Sequence, residues 1–171
     1  IEVRFSGTPT TNFAFLNFEF STQIPASEGE QWSGSFFYKL SAGSTANINA
    51  VQQRFEQCQS NGTQTTAQYA TISTVDATWR RAVATRTITD TTPDTVRIRN
   101  GLFLALSVGS AIDITLRLAQ PQLERGSSAT AYIPTTGSAR SRGSGARVDG
   151  NTSLGTIIPS WNWQPNMLSI L

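Results

Sequence analysis

Histidine is absent from the 171 residues. With it go Ser-His-Asp and Cys-His nucleophile arrangements and any imidazole-held zinc. What remains for acid–base work is eleven Asp and Glu side chains. Carboxylate-pair hydrolysis needs two of them a fixed distance apart in a cleft. Here Asp76, Asp90 and Asp94 fall in turn-rich sequence, and Glu28 and Glu30 flank Gly29. There is no Gly-x-Ser-x-Gly elbow, and the glycine-rich stretch 137–155 has neither P-loop spacing nor a lysine. A non-catalytic chain is expected, with a chance carboxylate pair the one catalytic arrangement left open.

Binding chemistry is better supplied. Sugar recognition on β-sheets uses exposed aromatic rings for stacking, with polar groups beside them for hydroxyls. In WSGSFFYKL, Trp32–Leu40, the residues Phe36, Tyr38 and Leu40 alternate with Ser35, Phe37 and Lys39. If the first set faces the core, Phe37 faces out, as a ligand platform or a contact with another sheet or subunit. Tyr69 and Arg54 are weaker candidates of the same kind. Near the end of the chain Trp161 and Trp163, with Met167 and Leu168, form an apolar group flanked by Pro159 and Pro165. Exposed, it would be a sticky patch, so it is expected to pack on the chain's own domain or a partner.

Charge points away from nucleic acid. The net charge is +2, charged residues are only 14% of the chain, and the pI near 9.1 reflects a slight excess of arginine. The paired arginines Arg80–Arg81, Arg97–Arg99 and Arg140–Arg142 are separated by neutral stretches, unlike the dense basic stripe of a nucleic-acid binder. A single cysteine, Cys58, excludes an internal disulfide and reads as a small, partly buried side chain. No apolar run is long enough to span a bilayer. Ile1 opens the chain in what reads as mid-strand sequence, as expected of one piece of a longer polypeptide.

The elements that must position these groups are strands. Thr and Ser fill the space left by charged residues, and both suit solvent faces and turns of sheets. Ile112–Leu118, IDITLRL, alternates strictly between apolar and polar, the period of a half-buried strand. Trp32–Leu40 does so less cleanly. Further candidates are Asn12–Phe20, Asn47–Phe55, Gln68–Ile72, Trp79–Ile88, Thr95–Arg99 and Leu102–Val108, with Asn47–Phe55 also readable as a short helix. Turn chemistry at Gly29, Gly43, Asn61–Gly62, Thr92–Pro93–Asp94, Asn100–Gly101 and Gly109 separates them. Asn-Gly supplies positive φ, so Asn100–Gly101 predicts a tight hairpin. About eight short strands with regular turns predict an all-β jelly-roll sandwich of two antiparallel sheets, with an irregular C-terminal arm.

The segment 119–137, AQPQLERGSSATAYIPTTG, resembles the closing strand and exit loop of carbohydrate-binding-module-like jelly rolls in bacteriophage tail-fibre and minor structural proteins. Gln122, Leu123, Glu124, Gly126, Ala129, Thr130, Tyr132, Ile133, Pro134 and Thr135 match that pattern as they stand. The early strand ending KLSAG and the strand opening at Trp79 resemble the family more loosely. The resemblance implies a virion location, a homotrimeric appendage with other virion proteins as partners, and a cell-surface polysaccharide as a candidate ligand. It also implies that Glu124 could help hold a structural calcium, with backbone carbonyls and Glu2 or Glu19. On residues alone Glu124 is an exposed or hydrogen-bonded carboxylate beside Arg125, so no metal ligand and no cofactor is assigned.

The expected organisation is therefore a jelly roll over 1–136, a Gly/Ser/Arg-rich arm over 137–155 and an apolar anchor over 156–171. The arm lacks the apolar content to offset its ordering entropy. The expected function is a virion structural module for glycan attachment or assembly, with no membrane insertion. The alternatives are an accessory carbohydrate-binding module of a longer glycan-degrading protein, or a capsid decoration protein.

Overall fold

A computed structural model describes residues 1–18, 24–89 and 96–134, and within them every regular element is a strand. They are β1 (Glu2–Gly7), β2 (Phe13–Asn17), β3 (Ile24–Ala26), β4 (Gln31–Gly43), β5 (Ile48–Cys58), β6 (Gln64–Thr71), β7 (Arg80–Thr87), β8 (Val96–Leu106) and β9 (Ile112–Arg125). The first sheet has the order β1-β9-β4-β7. The second has the order β2-β8-β5-β6, with β3 paired to β8 end to end with β2. All pairs are antiparallel, and the chain passes repeatedly from sheet to sheet, so most ladders join segments far apart in sequence. This is the expected β-sandwich of two antiparallel sheets. The proposed arm and the apolar anchor, with Trp161, Trp163, Met167 and Leu168, lie outside the described residues, as do Glu19, Asp90 and the Thr92–Pro93–Asp94 turn.

Period-two alternation places the core. Val3 and Phe5 from β1, Phe36 and Tyr38 from β4, and Ile112, Ile114, Leu116 and Leu118 from β9 meet Leu16, Val51, Leu102, Leu104 and Leu106 of the other sheet. Phe18 meets Phe36 edge to face at 4.9 Å. A smaller cluster holds Ile24, Trp32, Phe55, Ile88, Ile98 and Leu123. Between them lies a polar pair: Gln53 Nε2 donates to Asn100 Oδ1 at 3.0 Å, both residues buried. Gly34 of β4 makes room for it, since a Cβ there would sit 2.9 Å from Asn100 Cγ and Gln53 Nε2.

Strand β9 changes parity on the way. Ser35 pairs with Gln122 but Phe37 with Ala119, so two residues, Gln120 and Pro121, oppose Phe36 alone. Gln120 takes φ 50° in this bulge. Even-numbered residues point inward up to Leu118. Beyond the bulge Leu123 points inward, and Gln122 and Glu124 point out.

Three expectations need correction, and one ambiguous segment is settled. Asn100–Gly101 is no hairpin: both lie inside the continuous strand β8, and neither has positive φ. Asn100 turns its amide into the core, and Gly101 lets β2 approach, because a Cβ there would run into the Leu16 carbonyl oxygen. The Asn47–Phe55 candidate is strand and not the helix also open to it: β5 runs Ile48–Cys58, with Val51 and Phe55 reaching the core at strand spacing. Ser35, which alternation puts with the outward Phe37, is buried, and so is Ser33 on the same face. Trp79 stands just ahead of β7, exposed, with Lys39 Nζ 5.4 Å from its ring centroid. Strand β3 was not foreseen, whereas β1 follows the strand-like reading of the chain's opening residues. The Asn61–Gly62 loop does close a hairpin, β5 to β6, with Thr63 N donating to Asn61 Oδ1 at 2.8 Å.

Two outcomes follow. Gly101→Ala should destabilise the fold by about 2 kcal/mol in denaturant unfolding, the range for forcing a methyl into a packed site. Cys58 is fully buried, and desolvation pushes its thiol from 9.0 up to about 11. A pKa raised on folding gives stability that is complete below pH 9 and fades as pH climbs towards 11. Comparing unfolding of the native chain and Cys58→Ala across that window should show the steeper decline in the native chain; parallel curves would contradict it.

Candidate functional site

The outward face of the second sheet carries an aromatic shelf. Register puts Phe13 and Phe15 of β2 opposite Ala105 and Phe103 of β8. Phe13 stacks on Phe103 at 5.9 Å between centroids, and Phe13 and Phe15 are 6.1 Å apart. From Phe103 the shelf continues to Tyr69 of β6, 4.6 Å away and tilted. Its ends are open to solvent: Phe13 is 41% and Tyr69 40% exposed. The rings therefore cross the sheet from β2 to β6, about 14 Å at ordinary strand spacing. Gln52 lies between Phe103 and Thr71 in register and offers its amide beside the rings.

Charge underpins the shelf. The Arg54 guanidinium carbon lies 4.0 Å from the Phe15 centroid, a cation–π stack on the ring's inner side. Arg54 is ion-paired with Glu56 and donates to Gln64 Oε1 at 2.6 Å. Glu56 also faces Arg99 Nη1 at 3.7 Å and accepts from Asn17 Nδ2 at 3.1 Å. Arg54, Glu56, Arg99 and Asn17 are buried, and Gln64 is exposed. The cluster ties β2, β5 and β8 together on the outward side, so the rings above it sit on a fixed base.

Of the expected ligand residues, Arg54 and Tyr69 are directly paired across β5 and β6. Arg54 is only 5% exposed, so it supports Phe15 instead of presenting its head to a ligand. Phe37 belongs elsewhere. It lies half-buried on the outward face of the first sheet, 5.7 Å from the Arg81 guanidinium carbon, and packs on neither the other sheet nor the shelf. Phe13, Phe15 and Phe103 were missed. The run NFAFLNF is apolar on both faces, so its alternation could not say which phenylalanines face out.

Glu124 has a structural task. It is buried, Oε1 accepting from Thr130 N at 2.6 Å and Gln122 Nε2 at 2.8 Å, and Oε2 from Thr130 Oγ1 at 2.9 Å. Gln122 Oε1 in turn accepts from Ile133 N at 3.0 Å, and Ser33 Oγ donates to Gly126 O at 3.0 Å. The exit segment is thus folded back over the first sheet, which is why Ser33 and Ser35 are covered. Glu2, a suggested companion in a calcium site, pairs with Arg117 at 2.7 Å, which holds its carboxyl below the usual range. That places it seven residues up β9 from Glu124 in register, too far to share an ion. Among the described residues no group of Asp, Glu and Cys converges as a metal-ligand set.

No protein-family model and no curated protein matches the sequence. Among solved structures the chain is similar to one described as the structure of infectious bursal disease virus Gx strain, with TM-score 0.49 and 13% identity. That similarity covers 71% of this chain but only 28% of the viral one. It is also similar to one described as CBM4 structure and function, with TM-score 0.42 and 16% identity over 73% of this chain and 71% of the other. At these values the likenesses carry no function across.

Proposed function

We propose that the chain is a non-catalytic virion module that binds a polysaccharide on the aromatic shelf Phe13–Phe15–Phe103–Tyr69. The observation that carries the reading is the shelf itself: three rings in a row across an outward sheet face, Phe13, Phe103 and Tyr69, with Phe15 beside Phe13, and two of the four open to solvent. Phenyl and phenol rings stack on the C–H faces of pyranoses, and amides and hydroxyls such as Gln52 and Thr71 serve sugar hydroxyls. Such rings would ordinarily be covered in a sandwich, so leaving them open costs solubility and needs a compensating use. The resemblance of the exit motif to phage appendage modules supports the virion setting, a tail fibre or similar appendage. Homotrimeric display beside other virion proteins would let weak shelves act together through effective concentration.

The same reading explains the exit motif. Glu124 pins the departing chain to the first sheet, on the side of the sandwich away from the shelf, so neighbouring virion parts and ligand approach from opposite faces.

Binding is tested on host-surface polysaccharide and a glycan array with the full chain. Phe13→Ala and Tyr69→Ala should each weaken saturable binding about tenfold, the loss expected for one stacked ring worth roughly 1.4 kcal/mol. Phe37→Ala, on the other sheet, should leave it unchanged. A folded chain that binds no glycan would instead mark a spacer or adaptor, and equal losses in all three variants would remove the shelf from the explanation.

A further inference from the structure

The two sheets do not close against each other along the β6–β7 side. Between these edge strands a cleft of about 130 Å³ opens from the surface into the sandwich, lined by Tyr38, Gln53, residues 70–73 and residues 81–83. At its floor is Gln53. This side chain is 1% exposed, its Nε2 is committed to Asn100, and its Oε1 has no hydrogen-bond partner. An orphaned buried amide oxygen loses its hydration without replacement and destabilises the fold, and an apolar residue between Val51 and Phe55 would cost nothing of the kind. The fold nevertheless accommodates the amide, down to the missing Cβ at Gly34.

The remaining polar groups of the cleft complete a pattern. Tyr38 Oη donates to Thr74 O at 2.9 Å, which leaves its lone pairs as acceptors. In an antiparallel ladder alternate residues turn their N–H and C=O away from the partner strand. Ile72 N donates to Val51 O at 2.8 Å, so Ile72 faces β5. Tyr69 O is taken by Arg86 Nη2 at 3.1 Å, so the intervening odd-numbered set faces the seam. Thr71 therefore offers one backbone donor and one acceptor there. Ser73 and Arg81 also line the cleft, Arg81 Nε being buried without a hydrogen-bond partner, so donors and acceptors are mixed; no carboxylate is among the lining residues, and Ala70, Ile72 and Ala82 supply apolar walls.

We propose that this seam is a second binding site, distinct from the shelf, for a group bearing adjacent hydroxyls on a short carbon chain. A hydroxyl donates to an acceptor and accepts in the same contact, which matches Gln53 Oε1, Tyr38 Oη and the Thr71 backbone. The volume equals roughly four waters at about 30 Å³ each, the size of a hydroxymethyl and its neighbouring carbinol. The group could come from a free polyol or from the terminal unit of a glycan.

Glycerol, as the free polyol, and maltotriose, as a glycan end, are titrated into ¹⁵N-labelled full chain and followed by NMR. The expected result is a saturable shift of the Gln53 side-chain amide and the Thr71 backbone amide, with Tyr69 ring signals unmoved by glycerol. Saturation by glycerol assigns the free polyol as source, and saturation by maltotriose alone assigns the glycan end. Gln53→Leu removes the acceptor and Ala70→Met fills the cleft; each should weaken the response at least tenfold. If Gln53→Leu fails to fold, Ala70→Met decides alone. Shifts that rise linearly without saturating, or that survive Ala70→Met, overturn the site. So do long-lived water contacts at Gln53 that neither ligand displaces, which would make the cleft a hydration site only.

Discussion

One extra residue in β9 governs much of this molecule. The strand side-chain period is two, so a single insertion moves everything beyond it to the opposite face. At Gln120–Pro121 the bulge does this halfway along the longest strand of the sandwich. Without it Leu123 would leave the smaller core cluster, and Gln122 and Glu124 would be driven into it. With it Leu123 packs with Trp32 and Phe55, and two polar side chains stand on the outer face where the departing backbone needs acceptors and donors. Pro121 costs the ladder little there, because a bulge already interrupts pairing.

The two outer faces then become unequal. The first sheet is roofed by residues 126–134; its interior-like Ser33, Gln122 and Glu124 are hydrogen-bonded to that roof, and Ser35 accepts from Arg81 of β7. The second sheet gathers its buried charge beneath a row of rings. Arg54, Glu56 and Arg99 would pay a desolvation penalty anywhere in a core, and truncating one partner would leave the others uncompensated. Their geometry fits a supporting role: the guanidinium fixes Phe15, and Asn17 on the same strand is held by Glu56. Rigid rings lose less entropy on stacking a ligand than rings that must first be ordered.

How much of this could be read from residues varies with how far the cause lies along the chain. The strict alternation in Ile112–Leu118 and the polar hairpin at Asn61–Gly62 are local, and both are as the sequence indicates. The inward position of Leu123 after Leu118 already contains the parity break. Asn100–Gly101 misleads because the same dipeptide serves two needs, positive φ in a turn and a missing Cβ in a strand. Only the neighbouring β2, more than eighty residues earlier, decides between them. The shelf was half legible: Tyr69 and Arg54 stood out as polar-tipped residues, but Phe13, Phe15 and Phe103 sit in runs apolar on both faces. Phe37 stood out for the opposite reason, an aromatic among polar residues on the expected outward face of its strand, and lies on the other sheet.

A sandwich of this size gains most by filling its interior with aliphatic side chains, and for most of its length this one does. Its departures are concentrated. The Gln53–Asn100 amide pair interrupts the core at the open seam, and the Arg54–Glu56–Arg99 cluster lies under the exposed rings. Aliphatic and aromatic layers on each side of the amide pair already bridge the sheets. Polar groups that weaken a core persist where they position something or receive something. Both places leave buried polar atoms without a hydrogen-bond partner, Arg54 Nε and Nη1 in the one and Gln53 Oε1 in the other, but the charged cluster is ion-paired beside Phe15, whereas the Gln53 oxygen borders open volume. That difference separates a support from a site.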